Sequence, residues 1–240
     1  NNIKNAVILL HGYGGDGNDI SAITLNWKRF LPETIFFCPD GHEKCPINPS
    51  GFQWFDLESD KENIILEKSL VAEAKLNKFL DQVLDDIGLN HDKLSLVGFS
   101  QGCMISIQTA LKKKEKINSL VGYSGKVINM NHLEKNIFSK PKFFLMHGED
   151  DIIVPPTHLL ESKEYLKKHG INIKTKMFKN CEHKISVQAA SLGLDFLKRN
   201  PKDFTKGSLW YHNLDVSPGW SSSLQKALVI GDHIFYREQT

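Results

Sequence analysis

The chain has 240 residues, of which 40% are hydrophobic, enough for one substantial core but few for two independent enzyme domains. Its formal net charge is only +2, far from the strongly basic balance of proteins whose main partner is a nucleic acid. The longest apolar runs are much shorter than the ~20 residues of a membrane-spanning helix. These features exclude a nucleic-acid partner and an integral membrane protein.

The cysteines are few and scattered, and no two of them form a C-x-x-C pair. This pattern fits neither a disulfide scaffold nor a zinc site, so we expect no bound metal. Such cysteine usage favours a reducing environment, and we expect a cytoplasmic protein. The cysteines are Cys38, Cys45, Cys103 and Cys181.

Short apolar runs predict buried strands that alternate with segments of helical periodicity. Such alternation implies an α/β fold with a mostly parallel sheet covered by helices on both faces. The clearest helix spans residues 66–87, with Gly88 as its expected C-cap. The predicted strands span residues 6–10, 34–38, 94–97, 119–123, 142–146 and 172–178, and the other helices 103–114, 157–169 and 184–199.

Residues 201–240 break this alternation. Within them, the run 226–237 predicts a hairpin with Gly231 and Asp232 at its turn. We therefore divide the chain into a main domain of residues 1–200 and a C-terminal extension. Because the extension also holds two of the four tryptophans, we expect it to pack, either as the arm of a homodimer or as a cover over one sheet edge.

The junction between a predicted strand and a predicted helix has the sequence Gly98-Phe99-Ser100-Gln101-Gly102. A sharp strand-to-helix turn lifts a serine hydroxyl out of the sheet, and it needs glycines because it leaves no room for side chains there. The three fixed positions alone occur by chance in about one chain in a dozen, so the flanking strand and helix strengthen the motif. The pattern predicts a nucleophile at Ser100.

A serine is a good nucleophile only when a base takes its proton and an acid orients that base. One downstream strand is followed by three carboxylates, those of Glu149, Asp150 and Asp151, and the next strand by His183. These loops and Ser100 share the carboxyl edge of the predicted sheet, where ligands bind in such folds. The order of serine, acid and histidine is that of hydrolases with this nucleophile turn. It does not choose among the three carboxylates.

A serine nucleophile also needs N–H donors aimed at the oxyanion that forms during attack. Gln101 directly follows the serine at a helix N-terminus and can supply one of them. The glycine-rich loop of residues 11–15 follows the first strand, where the second donor is expected. Tyr13 in this loop is the candidate.

Five segments in chain order form a more specific combination. They are Leu10-His11-Gly12-Tyr13-Gly14-Gly15-Asp16-Gly17, Gln53-Trp54-Phe55-Asp56, Gly98-Phe99-Ser100-Gln101-Gly102, His147-Gly148-x-x-Asp151-x-x-Val154-Pro155, and His183 before the final helix. This combination resembles the phospholipase/carboxylesterase family of α/β hydrolases, which includes acyl-protein thioesterases and small bacterial carboxylesterases. The resemblance covers about residues 3–199.

The resemblance implies an α/β-hydrolase fold and a serine esterase or thioesterase that forms an acyl-enzyme without a cofactor. It selects Asp151 as the acid that orients His183, with Ser100 as nucleophile and Tyr13 and Gln101 as the oxyanion hole. The implied substrates carry an apolar acyl group, as in a small ester, a lysophospholipid or an acylated protein.

The resemblance also implies that Trp54 borders the acyl pocket, and we expect Gly12 and Phe99 to contact the substrate. The chain departs from the family pattern in two places. Cys103 stands where many relatives have glycine, and residues 201–240 have no counterpart in the ordinary family.

Two alternatives belong to other classes. The glycines of residues 12–17, followed by Asp40, also fit a dinucleotide-binding fingerprint and hence an oxidoreductase, although Asp16 and Asp19 would place carboxylates where a pyrophosphate must bind. A non-catalytic binding module on a hydrolase fold would have a missing or displaced member of the Ser–Asp–His set. His11 and His147 precede glycines at strand ends, and we expect both to be structural.

Overall fold

The computed structural model describes residues 3–57, 61–198, 228–230 and 233–235. The main domain contains strands that alternate with helices along most of its length. Its strands are β1 (Asn5–Leu10), β2 (Thr34–Phe37), β3 (Glu43–Cys45), β4 (Asn48–Gln53), β5 (Leu94–Phe99), β6 (Ser119–Tyr123), β7 (Lys142–Gly148) and β8 (Ile173–Phe178). Its helices are α1 (Gly17–Trp27), α2 (Glu62–Ile87), α3 (Gln101–Lys112), α4 (Met130–Leu133), α5 (Thr157–Lys168) and α6 (Val187–Lys198).

Six strands form one sheet in the order β2-β1-β5-β6-β7-β8, and each neighbouring pair is parallel. Successive side chains of β1 point to opposite faces, as the period of a strand requires. Ile8 and Leu10 join the core that contains residues of α2 and α3, whereas Val7 and Leu9 join the core that contains residues of α1 and α6. The sheet is therefore covered on both faces, and the predicted α/β-hydrolase architecture is confirmed.

The six predicted strands of the sheet and the four predicted helices are all present. Helix α2 begins at Glu62, one turn earlier than predicted, and Gly88 ends it in the left-handed conformation at φ 67°. One expectation was wrong. Strand β8 is not buried along its length, because it lies at the edge of the sheet and exposes Lys174 and Lys176 in alternation with half-buried residues.

The sequence prediction missed helix α1, the short helix α4 and the antiparallel hairpin β3–β4. Helix α1 begins with a capping box between Asp16 and Asp19, a signal that is visible in the sequence. The hairpin is polar and contains proline and glycine, so it lacks the apolar alternation of a strand. It is held instead by Phe52, whose carbonyl accepts from Gly14 N–H at 2.9 Å and whose N–H donates to Gly15 O at 2.8 Å.

In the C-terminal extension, β9 (Leu228–Ile230) and β10 (His233–Phe235) pair in antiparallel fashion, as predicted for a hairpin. The predicted turn at Gly231 and Asp232, and the two tryptophans of the extension, lie outside the described residues. Among the helices that the structure describes, none has the length and apolar content needed to cross a membrane.

Candidate active site

Ser100 occupies the turn between β5 and α3 with φ 53° and ψ −117°. This conformation is costly for a residue with a side chain, by about 1–3 kcal/mol, so the surroundings must enforce it. The Ser100 N–H donates to the carbonyl of Tyr123 at 2.8 Å, which ties the turn to the neighbouring strand β6. The serine itself is only 7% exposed.

The two glycines of the turn permit a close approach of backbone segments. A Cβ placed on Gly98 would lie 2.5 Å from the Cα of Cys103, a separation that real Cβ atoms essentially never show. A Cβ on Gly102 would overlap the carbonyl oxygen of Leu10 and lie 2.5 Å from that of His11. Gly102 therefore lets helix α3 begin directly against the end of β1, and Gly98 lets the first turn of α3 lie against β5.

A continuous chain of hydrogen bonds connects the three residues that the sequence nominated. His183 Nε2 lies 2.9 Å from Ser100 Oγ, and His183 Nδ1 lies 2.8 Å from Asp151 Oδ2. Because an ionised carboxylate can only accept, Nδ1 carries the hydrogen and Nε2 is free to accept from the serine hydroxyl. Asp151 is 2% exposed and the His183 side chain is 18% exposed. Of these two residues, the imidazole is therefore the one that solvent reaches.

Asp151 is fixed by its own loop. Its Oδ1 accepts from the N–H groups of Ile153 at 3.0 Å and Val154 at 2.9 Å, while Oδ2 faces His183. Burial by itself would raise the pKa of Asp151, but the bond from Val154 and the contact with His183 outweigh it and hold this pKa below its ordinary value of 3.8. The carboxylate is therefore ionised at neutral pH.

Backbone hydrogen bonds join the loop that carries Asp151 to the loop that carries His183. Asp150 N–H donates to Cys181 O at 3.0 Å, and Glu149 N–H donates to Phe178 O at 2.8 Å. The side chains of Glu149 and Asp150 are exposed. Of the three neighbouring carboxylates, Asp151 is the one that contacts the histidine, as the family resemblance implies.

The glycine-rich loop after β1 lies against the serine. A Cβ on Gly12 would be 3.0 Å from Cδ1 of Phe99 and 3.3 Å from Cβ of Ser100. Gly14 is anchored to Phe52 on the other side, so Tyr13 lies between two fixed residues. The ring of Phe99 also packs against His183, with the ring centroids 5.0 Å apart.

Gln101 is the first residue of α3, so its backbone N–H belongs to the helix end that lacks acceptors within the helix. An oxyanion near Ser100 would meet this N–H and the favourable end of the helix dipole. The side chain of Gln101 is engaged elsewhere, with both of its polar atoms hydrogen-bonded to the segment at Trp54 and Phe55. The contact between Gln101 and the segment at Trp54 was not predicted from the sequence, because no local sequence pattern indicates it.

Trp54 is part of the core and only 3% exposed. Its indole N–H donates to the carbonyl of His11 at 2.9 Å, so it contacts the loop that carries Tyr13. The contact with an acyl chain that the resemblance implies stays a prediction.

The two histidines that were expected to be structural each contact backbone groups. His11 Nδ1 lies 2.7 Å from Gly12 O, while its Nε2 accepts from Gly41 N–H at 2.8 Å. His147 Nε2 lies 2.7 Å from Val154 O and 3.3 Å from Asp151 Oδ2. Burial lowers the pKa of both imidazoles, so both are neutral at physiological pH.

Cys103, the departure from the family pattern, is 1% exposed. A Cβ on Gly122 would overlap its Sγ, and one on Gly125 would lie 2.6 Å from Sγ, so these glycines provide the space for the thiol. Burial raises the pKa of Cys103 to about 12. The residue is a small packing group and not a second nucleophile.

The structure excludes the dinucleotide-binding alternative. At the start of α1, the Asp16 carboxylate accepts from Asp19 N–H at 2.9 Å, and the Asp40 carboxylate accepts from Gly17 N–H at 2.9 Å. Two carboxylates thus occupy the helix N-terminus where a pyrophosphate would have to bind. The binding-module alternative required a displaced member of the Ser–Asp–His set, and the three side chains instead lie within hydrogen-bonding distance.

A parallel sheet with a serine on a strand-to-helix turn, joined to a buried Asp–His pair, defines a serine hydrolase of the α/β-hydrolase class. The model of the phospholipase/carboxylesterase family matches residues 1–200. The chain belongs to this family, and it is a hydrolase that acts on carboxylic esters or thioesters.

Individual relatives agree with this assignment. The chain is 22% identical over 210 residues to acyl-protein thioesterase 1 of Kluyveromyces lactis, covering 82% of this chain and 92% of the relative. It is 20% identical to esterase YpfH of Escherichia coli, covering 80% and 81%. The crystal structure of esterase PE8 superimposes with a TM-score of 0.78 at 33% identity, covering 82% of this chain and 92% of that one.

The close approach at the nucleophile turn predicts a strong effect of one methyl group. We expect Gly102→Ala to lower the free energy of unfolding by about 3 kcal/mol or more and to abolish hydrolysis, because the Cβ meets backbone carbonyls that cannot move cheaply. Gly88→Ala is the matched control, since Gly88 has φ 67° but nothing within 4 Å of a Cβ. It should cost only about 1–2 kcal/mol and leave activity intact. If urea unfolding shows that the two substitutions lower the free energy of unfolding equally, the close backbone approach at Gly102 is not what makes its Cβ costly.

Proposed function

We propose that Ser100 is the acylated nucleophile of this hydrolase, that His183 is its general base and acid, and that Asp151 orients and charge-stabilises His183. The observation that carries the proposal is the unbroken chain of hydrogen bonds from Ser100 Oγ through His183 to Asp151, at 2.9 and 2.8 Å. The burial of Asp151 and its lowered pKa support the same assignment.

In the proposed reaction, Ser100 Oγ bonds to the acyl carbonyl carbon while its proton passes to His183 Nε2. The carbonyl oxygen becomes an oxyanion, and the backbone N–H groups of Tyr13 and Gln101 stabilise it. When this intermediate collapses, the bond to the leaving group breaks and the leaving alcohol or thiol takes the proton from His183. Water then attacks the acyl-enzyme in the same way, with His183 taking its proton and returning it to Ser100 Oγ, and the carboxylic acid is released.

We further propose that the acyl group is apolar. Ile152 and Ile153, which directly follow Asp151, are 87% and 66% exposed, so they offer apolar surface on the loop that carries the proposed acid. Trp54, Gly12 and Phe99 are further candidate contacts. Lysophospholipids and acylated proteins fit this chemistry, and several relatives are named acyl-protein thioesterases. The four cysteines are unpaired, which supports a cytoplasmic location.

Residues 1–200 form the proposed catalytic domain, which agrees with the extent of the family match. We propose that residues 201–240 are not part of the catalytic machinery. They would serve instead as the arm of a homodimer or as a cover over one sheet edge. The antiparallel pair of β9 and β10 supports a packed role for this extension.

A burst assay tests the proposed chemistry. With p-nitrophenyl butyrate and octanoate, the wild-type protein should release nitrophenol and gain the mass of one acyl group at Ser100. Ser100→Ala should show neither, because it removes the hydroxyl that hydrogen-bonds to His183. Faster acylation by octanoate would support the apolar acyl pocket. Hydrolysis that survives unchanged in Ser100→Ala would contradict the assignment.

The pH dependence of kcat/KM tests the base. A histidine base acts only in its neutral form, so lowering the pH into the acid range should lower kcat/KM. The Asp151 carboxylate should not contribute to this loss near neutral pH, because the bond from Val154 and the contact with His183 outweigh burial and hold its pKa below the ordinary value. Asp151→Asn should lower kcat by about 10⁴, since an amide favours the wrong histidine tautomer. A flat acid limb would contradict the role of His183.

Truncation tests the domain division. A chain that ends at Asn200 should keep its kcat/KM. If the extension is the arm of a homodimer, light scattering should show that the mass falls to about half. If it covers a sheet edge, thermal unfolding should show a lower Tm. If the mass and the Tm both stay the same, the extension neither dimerises nor covers the sheet. If the truncated chain folds but is inactive, residues 1–200 are not the complete catalytic domain.

A further inference from the structure

The side chain of Gln101 makes two hydrogen bonds to one backbone segment. Its Oε1 accepts from Trp54 N–H at 2.8 Å, and its Nε2 donates to Phe55 O at 2.6 Å. The residue is 0% exposed, so both bonds are shielded from water and neither end of the amide can turn without leaving a buried group unsatisfied. The N-terminus of α3 is thereby attached to the segment after β4.

The same segment is attached to the loop after β1. The indole N–H of Trp54 donates to His11 O at 2.9 Å, and the rings of Trp54 and His11 pack with centroids 5.2 Å apart. His11 is in turn fixed by Gly12 O and Gly41 N–H. A continuous set of buried contacts therefore runs from Gln101 through Trp54 to the residues that precede Tyr13.

The two ends of this set are the two proposed oxyanion donors. Tyr13 and Gln101 belong to segments that are 88 residues apart in the sequence, and an oxyanion hole works only if both N–H groups lie about 2.7–3.1 Å from the same oxygen. A displacement of about 1 Å costs on the order of 10²-fold in rate. The distance between the two N–H groups must therefore be set by non-covalent contacts between the two segments, because the intervening 88 residues do not fix it.

We propose that Trp54 and the Gln101 side chain form a strap that holds the Tyr13 and Gln101 N–H groups at the separation a tetrahedral oxyanion requires. Both are positioning residues in this respect, and the inference rests on the proposed function. Trp54 uses its indole and backbone N–H groups within the strap and is 3% exposed. In this role Trp54 contributes to transition-state geometry, separately from any contact with the acyl group.

Two substitutions break the strap while keeping the backbone donors. Trp54→Phe removes the indole N–H, and Gln101→Met replaces the amide by a chain of similar length that cannot hydrogen-bond. Matched controls use buried residues of the same types outside the strap. Trp27→Phe alters a 2%-exposed tryptophan of α1, and Gln108→Met alters a 0%-exposed glutamine of α3 that bonds to Glu73 and Asn129.

The diagnostic probe is 1,1,1-trifluorodecan-2-one. Its carbonyl carbon accepts Ser100 Oγ, the serine proton passes to His183, and the carbonyl oxygen becomes the oxyanion of a stable hemiketal. We expect each strap variant to lower kcat/KM on p-nitrophenyl octanoate by about 10–100-fold, less than or similar to the loss of one oxyanion donor. KM should change little, and Ki for the ketone should rise by the same factor as kcat/KM falls.

The control variants should lower the Tm without changing Ki for the ketone, which separates loss of stability from loss of alignment. The double variant of Trp54 and Gln101 should be about as impaired as the worse single one, because both break the same strap. Unchanged Ki in both strap variants, or multiplicative effects in the double variant, would overturn the inference. If Ser100→Ala still turns over the ester, the proposed function fails instead, and the two failures are distinguishable.

Discussion

The structure depends on the close approach of three backbone segments at Ser100: the end of β1, the end of β5 and the start of α3. Two glycines make this approach possible, and the bond from Ser100 N–H to Tyr123 O holds the turn in a conformation that a serine would not adopt alone. The local strain of about 1–3 kcal/mol is small beside the burial of apolar strands on both faces of the sheet. The fold can therefore hold the Ser100 hydroxyl in a fixed geometry although the backbone conformation is unfavourable.

Sheet order then brings the remaining groups to the same edge. Strands β5, β7 and β8 end in the loops of Ser100, Asp151 and His183, with β6 between the first two. Each side chain comes from a separate loop, and backbone bonds between the last two loops fix their spacing. The buried charge of Asp151 is tolerated because its own loop supplies two N–H donors and His183 supplies a third.

The sequence was sufficient for features that depend on local pattern. Apolar runs identified the strands of the sheet, and the glycine-flanked Ser100 identified the turn. Features set by contacts between distant segments were not visible in this way. The hairpin β3–β4 is stabilised by pairing Phe52 with the loop at Gly14, and the buried position of Trp54 depends on Gln101, which is 47 positions away. Periodicity carries no information about such partners, and only the family resemblance singled out Asp151 among its neighbours.

Covalent labelling of the resting protein with a fluorophosphonate, followed by peptide mass mapping, tests directly whether Ser100 is activated by His183. We expect a single adduct on Ser100 that forms quickly in the wild-type protein and at a greatly reduced rate in His183→Ala, because the serine proton then has no acceptor. An adduct on a different residue, or equal labelling rates in the two proteins, would contradict the claim that this turn and its histidine form the reactive centre.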